Sequence, residues 1–123
     1  MRYLLAIAGT LLAIAGGAAA QTQMELNAQA GDALKKSDAQ LNAIYTKLRA
    51  KVSEASKQKL QAAQQSWLRF RDQECEFETA GTVGGSIHSM MVATCLTRLS
   101  DQRTRDLERL LNCQEGDLSC VGL

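Results

Sequence analysis

The sequence predicts an all-α fold, an antiparallel three-helix up-down-up bundle stapled by disulfides. Three observations lead there. The chain has no proline. After residue 20 its glycines stand far apart (Gly31; Gly81, Gly84 and Gly85; Gly116 and Gly122), and the stretches between them are rich in Ala, Leu, Gln, Lys, Glu and Arg, all good helix formers. The four cysteines, Cys75, Cys95, Cys113 and Cys120, form an even set in a small chain, which reads as disulfide pairing.

The chain begins MRYLLAIAGTLLAIAGGAAAQ. Arg2 supplies a positive start, and an apolar run extends from Tyr3 to about Ala15. Gly16 and Gly17 loosen any helix, and Ala18-Ala19-Ala20 offers the small-x-small pattern a signal peptidase needs. Residues 1–20 are therefore expected to be a secretory signal peptide. Gln21 becomes the mature start, and residues 21–123 form one helical domain, periplasmic or secreted. An uncleaved membrane anchor is the alternative, because uncharged residues run on to Met24. No cysteine lies near the cleavage site to carry a lipid, so no membrane attachment is expected after cleavage.

The first helix is expected from about Met24 to Val52. Leu34, Leu41, Ile44, Tyr45, Leu48 and Val52 recur at helical steps and make one apolar stripe. Gly31 weakens the early turns, which are expected to fray or bend there. Ser53 and Ser56 are candidate N-caps for the next helix, since a serine hydroxyl can accept from orphan amides. The second helix is expected from about Lys57 to Glu78, with Leu60, Ala63, Trp67, Phe70, Arg71, Glu74 and Cys75 on helical steps. AGTVGGS, residues 80–86, then breaks the pattern as a small, glycine-rich, uncharged loop. Ser86 is a candidate cap for a third helix from about Ile87 to Asn112. Its inward positions would be Ile87, Met91, Cys95, Leu99, Leu107, Leu110 and Leu111, with Met90 and Met91 filling the bundle end. CQEGDLSC closes the chain as a short turn.

A register follows if Cys75 pairs with Cys95 across an antiparallel hairpin. Leu60 then faces Leu110, Ala63 faces Leu107, Trp67 faces Arg103, and Asp72 faces Arg98. Apolar meets apolar and acid meets base, which supports the register. Cys113 would then bond Cys120 and close the end of the third helix. The other connectivities remain formally open from the cysteine pattern alone.

The side chains that could carry chemistry concentrate in SWLRFRDQECEFE, residues 66–78. In this register the stretch is mostly architectural. Trp67, the only tryptophan, is expected to be the largest core element, with Arg103 over its ring. Arg71 is expected to pair with a carboxylate on a neighbouring helix, and Asp72 with Arg98. Asp72 and Glu76, like Glu74 and Glu78, share helix faces, so acid–base work or loose calcium binding is the sharper alternative. Calcium, however, wants six or more oxygens from a curved loop, and Arg69 and Arg71 compete for the charge. A redox enzyme would want C-x-x-C, which is absent, and a zinc site would want histidines, of which there is one. That histidine, His88, is the only candidate general base. Its neighbour Ser86 makes no nucleophile pair without a third orienting group, so His88 is expected to be an exposed loop residue. No catalytic residue, metal or cofactor is expected.

Formal net charge is +1, and without Arg2 the acidic and basic side chains balance. That argues against a nucleic-acid partner, which would call for a basic face, and against a membrane-coating tail.

Trp67-Leu-Arg-Phe-Arg71-Asp72-Gln-Glu-Cys75, then Gly84-Gly85-Ser86, then Cys95, Arg103 and Leu107, together resemble the LprI-like lysozyme-inhibitor family of small exported bacterial proteins. SDAQLNAIY, residues 37–45, is similar to the family's Asp-x-x-Leu-Asn-x-x-Tyr segment. The resemblance spans nearly all of the chain after residue 20. It implies a helical, cysteine-stapled, non-enzymatic protein associated with inhibition of lysozyme. Relatives often carry a cysteine early in the first helix, in a segment like Asn-x-Cys-Ala. Here Gln29 stands there, so that staple is missing.

The resulting expectation is an exported binding protein that inhibits lysozyme or a related wall-cleaving hydrolase. Lysozyme works with two carboxylates in a cleft, and an inhibitor needs a stiff projecting loop with donors to meet them. TVGGSIHS, residues 82–89, is the candidate. Gly84 and Gly85 allow close backbone approach, and Ser86 and His88 offer donors. The alternative is an envelope interaction module with no effect on hydrolases, docking through a helix face.

Overall fold

The computed structural model describes residues 21–114 and 116–122, so the signal-peptide expectation for residues 1–20 lies outside the described residues. Three α-helices and one short 3-10 turn form the architecture: α1 (Gln23–Lys51), α2 (Glu54–Glu78), the turn Ala80–Thr82, and α3 (His88–Leu111). None of the three is long and apolar enough to cross a membrane.

Local chemistry sets the helix ends. Thr22 and Glu25 make a reciprocal capping box at the start of α1, each side chain serving the other's backbone amide. This box fixes the first turn. With that turn held and α3 alongside, α1 runs unbroken through Gly31 instead of fraying or bending there. Ser53 caps α2 by accepting from the Ser56 amide, so Ser53, not Ser56, is the cap. Ser86 does not cap α3. The chain enters α3 through Ile87 in a helical conformation (φ −81°, ψ −14°), whereas an N-cap needs extended backbone for its side chain to reach back.

Polar contacts fix the helix directions. Asn27 of α1 reaches Ser86 just before α3 (3.0 Å), and Lys51 at the end of α1 reaches the Leu111 carbonyl at the end of α3 (2.7 Å). These helices therefore run parallel, and the lysine answers an orphan carbonyl at the negative end of α3. Cys75 with Cys95, Arg71 with Ser100, and Gln64 with Arg103 set α2 antiparallel to α3. The arrangement is up-down-up. Small buried residues on facing sides (Ser37 of α1; Ala93, Ser100 and Thr104 of α3) let α1 and α3 approach most closely. α2 stands further off, spaced by the long side chains of Trp67, Arg71 and Arg103.

Leu41, Leu48, Val52 and Leu107 form the buried core, with Ile44, Tyr45, Leu60, Trp67, Leu110, Leu111 and Val121 packed around them. Leu107 is fully enclosed (0% exposed). Leu107→Ala is expected to cost about 2–5 kcal/mol, read as a lower urea midpoint at unchanged slope.

The inward face differs from expectation at three positions. Phe70 is 54% exposed, and Ile87 and Met91 are 38% exposed each. Phe70 falls on the flank of α2, where α1 does not come close enough to cover it. Ile87 and Met91 lie where the bundle opens at the start of α3. Trp67 is half-buried and packs beside the core rather than filling it.

After α3 the chain turns through Cys113–Cys120 and doubles back. Val121 joins the core and the Ser53 amide donates to the Gly122 carbonyl (3.2 Å), so the tail closes the corner between α1 and α2.

Candidate functional site

The loop between α2 and α3 is a chain of tight turns. The amides of Thr82, Gly85 and His88 donate in succession to the carbonyls of Thr79, Thr82 and Gly85. Gly84 takes φ +84°, a left-handed conformation that a side chain would strain. Thr79 is buried, and its hydroxyl donates to the Cys75 carbonyl at 2.6 Å, tying the loop's start to the last turn of α2. The Cys75–Cys95 disulfide, with Cα atoms 5.7 Å apart, locks that turn to α3. Asn27 Nδ2 donates to the Ser86 carbonyl and holds the far side to α1. Backbone, disulfide and one α1 side chain thus fix the loop from three directions.

Of the residues expected to meet a partner, Gly84, Gly85 and Ser86 are exposed at the tip, and the Ser86 hydroxyl has no partner among the described residues. His88 differs from expectation. It is half-buried, the first residue of α3, and its Nδ1 lies 2.9 Å from Thr82 Oγ1. Thr82 spends its one hydroxyl hydrogen on the Thr79 carbonyl (3.0 Å), so His88 Nδ1–H is the donor and Nε2 carries the ring's lone pair. Among the described residues no carboxylate orients this imidazole, so the third member of a hydrolytic constellation is missing from its surroundings.

Large apolar side chains stand exposed around this end of the bundle. Met24 at the start of α1 is 81% exposed, Phe77 at the end of α2 77%, and Val83 in the loop 72%. Ile87 and Met91 add to them at the start of α3. Sequence periodicity assigned the last two to the core. Nothing short of the fold puts all these residues at one end.

Behind the loop a polar bolt crosses the bundle. Arg71 Nη1 donates to Asp38 Oδ1 of α1 and to Ser100 Oγ of α3, both at 3.0 Å. Its Nε donates to Asp72 Oδ1 at 3.0 Å. Arg71 and Arg103 both lie over Trp67, 5.6 and 5.8 Å from the ring centroid. Burial lowers the Arg103 pKa, partly offset by Asp106. Asp72 therefore pairs with Arg71, not Arg98. Arg98 instead reaches Glu78 at 2.6 Å, passing Cys95 Sγ at 3.8 Å. Helical side chains lean toward the N-terminus, so both Arg98 and Glu78 lean back over the disulfide and meet there. Glu78 Oε2 also lies 3.0 Å from Cys95 Sγ, a contact and not a hydrogen bond, because a disulfide sulfur carries no proton.

Two sulfur–carboxylate groupings, Cys75–Glu78–Cys95 and Cys113–Asp117–Cys120, have the spacing of metal ligands. Both cysteine pairs are oxidised, and the thiolate is the ligating form, so as disulfides they bind no metal. Asp117 serves the tail turn instead. The Ser119 amide and hydroxyl both donate to it and hold its carboxyl below the usual range.

The family model for the lysozyme inhibitor LprI matches residues 15–107, a span that holds the bolt, the disulfide of α2 and α3, and the loop. The chain belongs to the LprI lysozyme-inhibitor family. It is also 31% identical to an uncharacterized protein, R02472, of Rhizobium meliloti (strain 1021), over 78% of each chain. No solved structure matches. In this LprI-family chain the Trp67, Arg71 and Cys75 motif is the part that joins the helices, while the glycine loop is the part left facing outward. Its two disulfides and its family both point to an extracytoplasmic protein.

Proposed function

We propose that this LprI-family chain is an exported, non-enzymatic inhibitor of lysozyme or a related wall-cleaving hydrolase, working in the periplasm or outside the cell. In this reading it meets its target with the loop end of the bundle. One observation carries the reading: an exposed glycine tip, fixed by turns, a disulfide and Asn27, inside a rim of exposed apolar side chains. A loop ordered before contact loses little entropy on binding, and the exposed apolar side chains beside it offer area to bury against a partner. The Ser86 hydroxyl and the loop amides that the turns leave unused, those of Gly84 and Ser86, supply donors for the two carboxylates of a lysozyme cleft. His88 contributes its second ring nitrogen, Nε2.

The test is turbidimetric lysis of cell walls with purified protein. Wild type is expected to slow lysis in a saturable way. Ser86→Ala with His88→Ala should weaken inhibition tenfold or more, equal to about 1.4 kcal/mol of binding, with the far-UV circular dichroism unchanged. Full-rate lysis in the presence of a large excess of wild type would sink the reading and favour the envelope interaction module.

A further inference from the structure

At the opposite end of the bundle, away from the loop, a cavity of about 400 Å³ lies between all three helices. That is within the size range of small-molecule sites. Leu60 of α2 and Leu110 of α3 form its walls, backed by the buried Leu48 and Val52 of α1 and Leu107 of α3. The returning tail adds Val121 and Gly122, held by the Ser53 amide and by Cys113–Cys120.

The polar side chains on this apolar pocket are mostly of one sign. Lys59 and Arg103 line it, and neither forms an ion pair with a carboxylate among the described residues. Arg103 gives its Nε to the buried Gln64 (2.9 Å) and its face to Trp67. Its guanidinium is thus partly stripped of water without gaining an anion. Burial lowers its pKa for that reason, with Asp106 only partly compensating. An apolar slot edged by an exposed lysine and a half-buried arginine, neither in an ion pair, fits a ligand with an apolar tail and an anionic head.

We propose that this pocket binds a single-chain anionic amphiphile, its tail against Leu60, Leu110 and Val121 and its carboxylate or phosphate head against Lys59 and Arg103. A free fatty acid and a lysophospholipid share that chemistry. The site lies apart from the loop and does not depend on the inhibitory reading.

Trp67 is the only tryptophan and touches Arg103, so its fluorescence reports on the site directly. Purified protein is titrated below the micellar range with decanoate, decyl phosphate, decanol and decyltrimethylammonium. Saturable one-to-one binding of at least one anion is expected, with decanol tenfold or more weaker and the cation not bound. Tighter decanoate binding points to a fatty acid, and tighter decyl phosphate binding to a lysophospholipid. Lys59→Glu, at an exposed position, should weaken anion binding tenfold or more. Ala63→Phe, which puts a ring at the pocket's edge from the exposed side of α2, should abolish it with the circular dichroism unchanged. Absence of a saturable response to either anion, equal affinity for the cation, or full affinity in both variants would overturn the proposal.

Discussion

Replacing Cys75 and Cys95 together by alanine is expected to remove about 3 kcal/mol of stability, the loop-closure entropy of a cross-link spanning 20 residues. For a domain of this size that corresponds to a fall in Tm of roughly 12–24 °C. Alanine is the right substitution because both sulfurs are buried, and serine would add buried hydroxyls with their own cost. The loss should be local as well as global. Amide hydrogen exchange should quicken first in residues 79–88, because the disulfide fixes the end of α2 to α3 just where the loop begins. On the proposed function, inhibition should weaken at temperatures where the variant is still folded, because the loop then orders only on contact. A Tm within a few degrees of wild type, with unchanged exchange in the loop, would show that the turns hold it alone.

The second large effect is expected at Arg71. Arg71→Met keeps the bulk of the stem and removes the guanidinium. Asp38 then loses its cation, Ser100 one of its partners, and Trp67 one of its two stacked arginines. Breaking a fully buried pair costs about 3–5 kcal/mol. The figure here is set lower, at about 2–4 kcal/mol, because the Asp38 side chain is 42% exposed and water can partly replace the lost partner. Asp38→Asn keeps an acceptor for both Arg71 and Ser100 and should cost only about 1 kcal/mol. Arg71→Lys should rescue little, since a single ammonium cannot reach Asp38, Ser100 and Asp72 with a planar fork. The order of the three variants in chemical denaturation is the measurement. If Arg71→Met is no worse than Asp38→Asn, the bolt adds nothing beyond the packing of its stem.

Much of the fold was legible because local rules and the global arrangement agree. Helical steps, the absence of proline and the glycine-rich break put the helices within a few residues of their observed limits. The antiparallel register was legible for the same reason: Trp67 meets Arg103, and Leu60, Ala63, Leu107 and Leu110 border one cavity. Ion-pair choice was not. Asp72 faces Arg98 in a flat register, but real side chains lean along their helices, and Arg71 lies closer to Asp72. Nor was the exposure of Ile87, Met91 and Phe70. Periodicity says which residues share a face, not whether a neighbour comes close enough to cover it.

The candidate site divides the same way. The glycines at 84 and 85 marked an exposed turn, and the structure has it. The fate of His88 depended on Thr82, a partner whose reach follows from three consecutive tight turns that composition does not encode. The cavity at the far end needed the tail to fold back from Cys120 to Ser53, a contact between the end of the chain and its middle.

What the sequence determined by itself was the helical make-up and the order and approximate limits of the helices, because hydrophobic period and helix-forming composition act within a few residues of where they are written; which cysteines pair was decided by the fold. What only the tertiary structure decided was the close parallel docking of α1 on α3, the choice of Asp38 and Asp72 for Arg71, the apolar rim about the loop and the tail-walled cavity. Each of those depends on distances between residues far apart along the chain, and such distances are set by how side chains of particular lengths fill the space between helices.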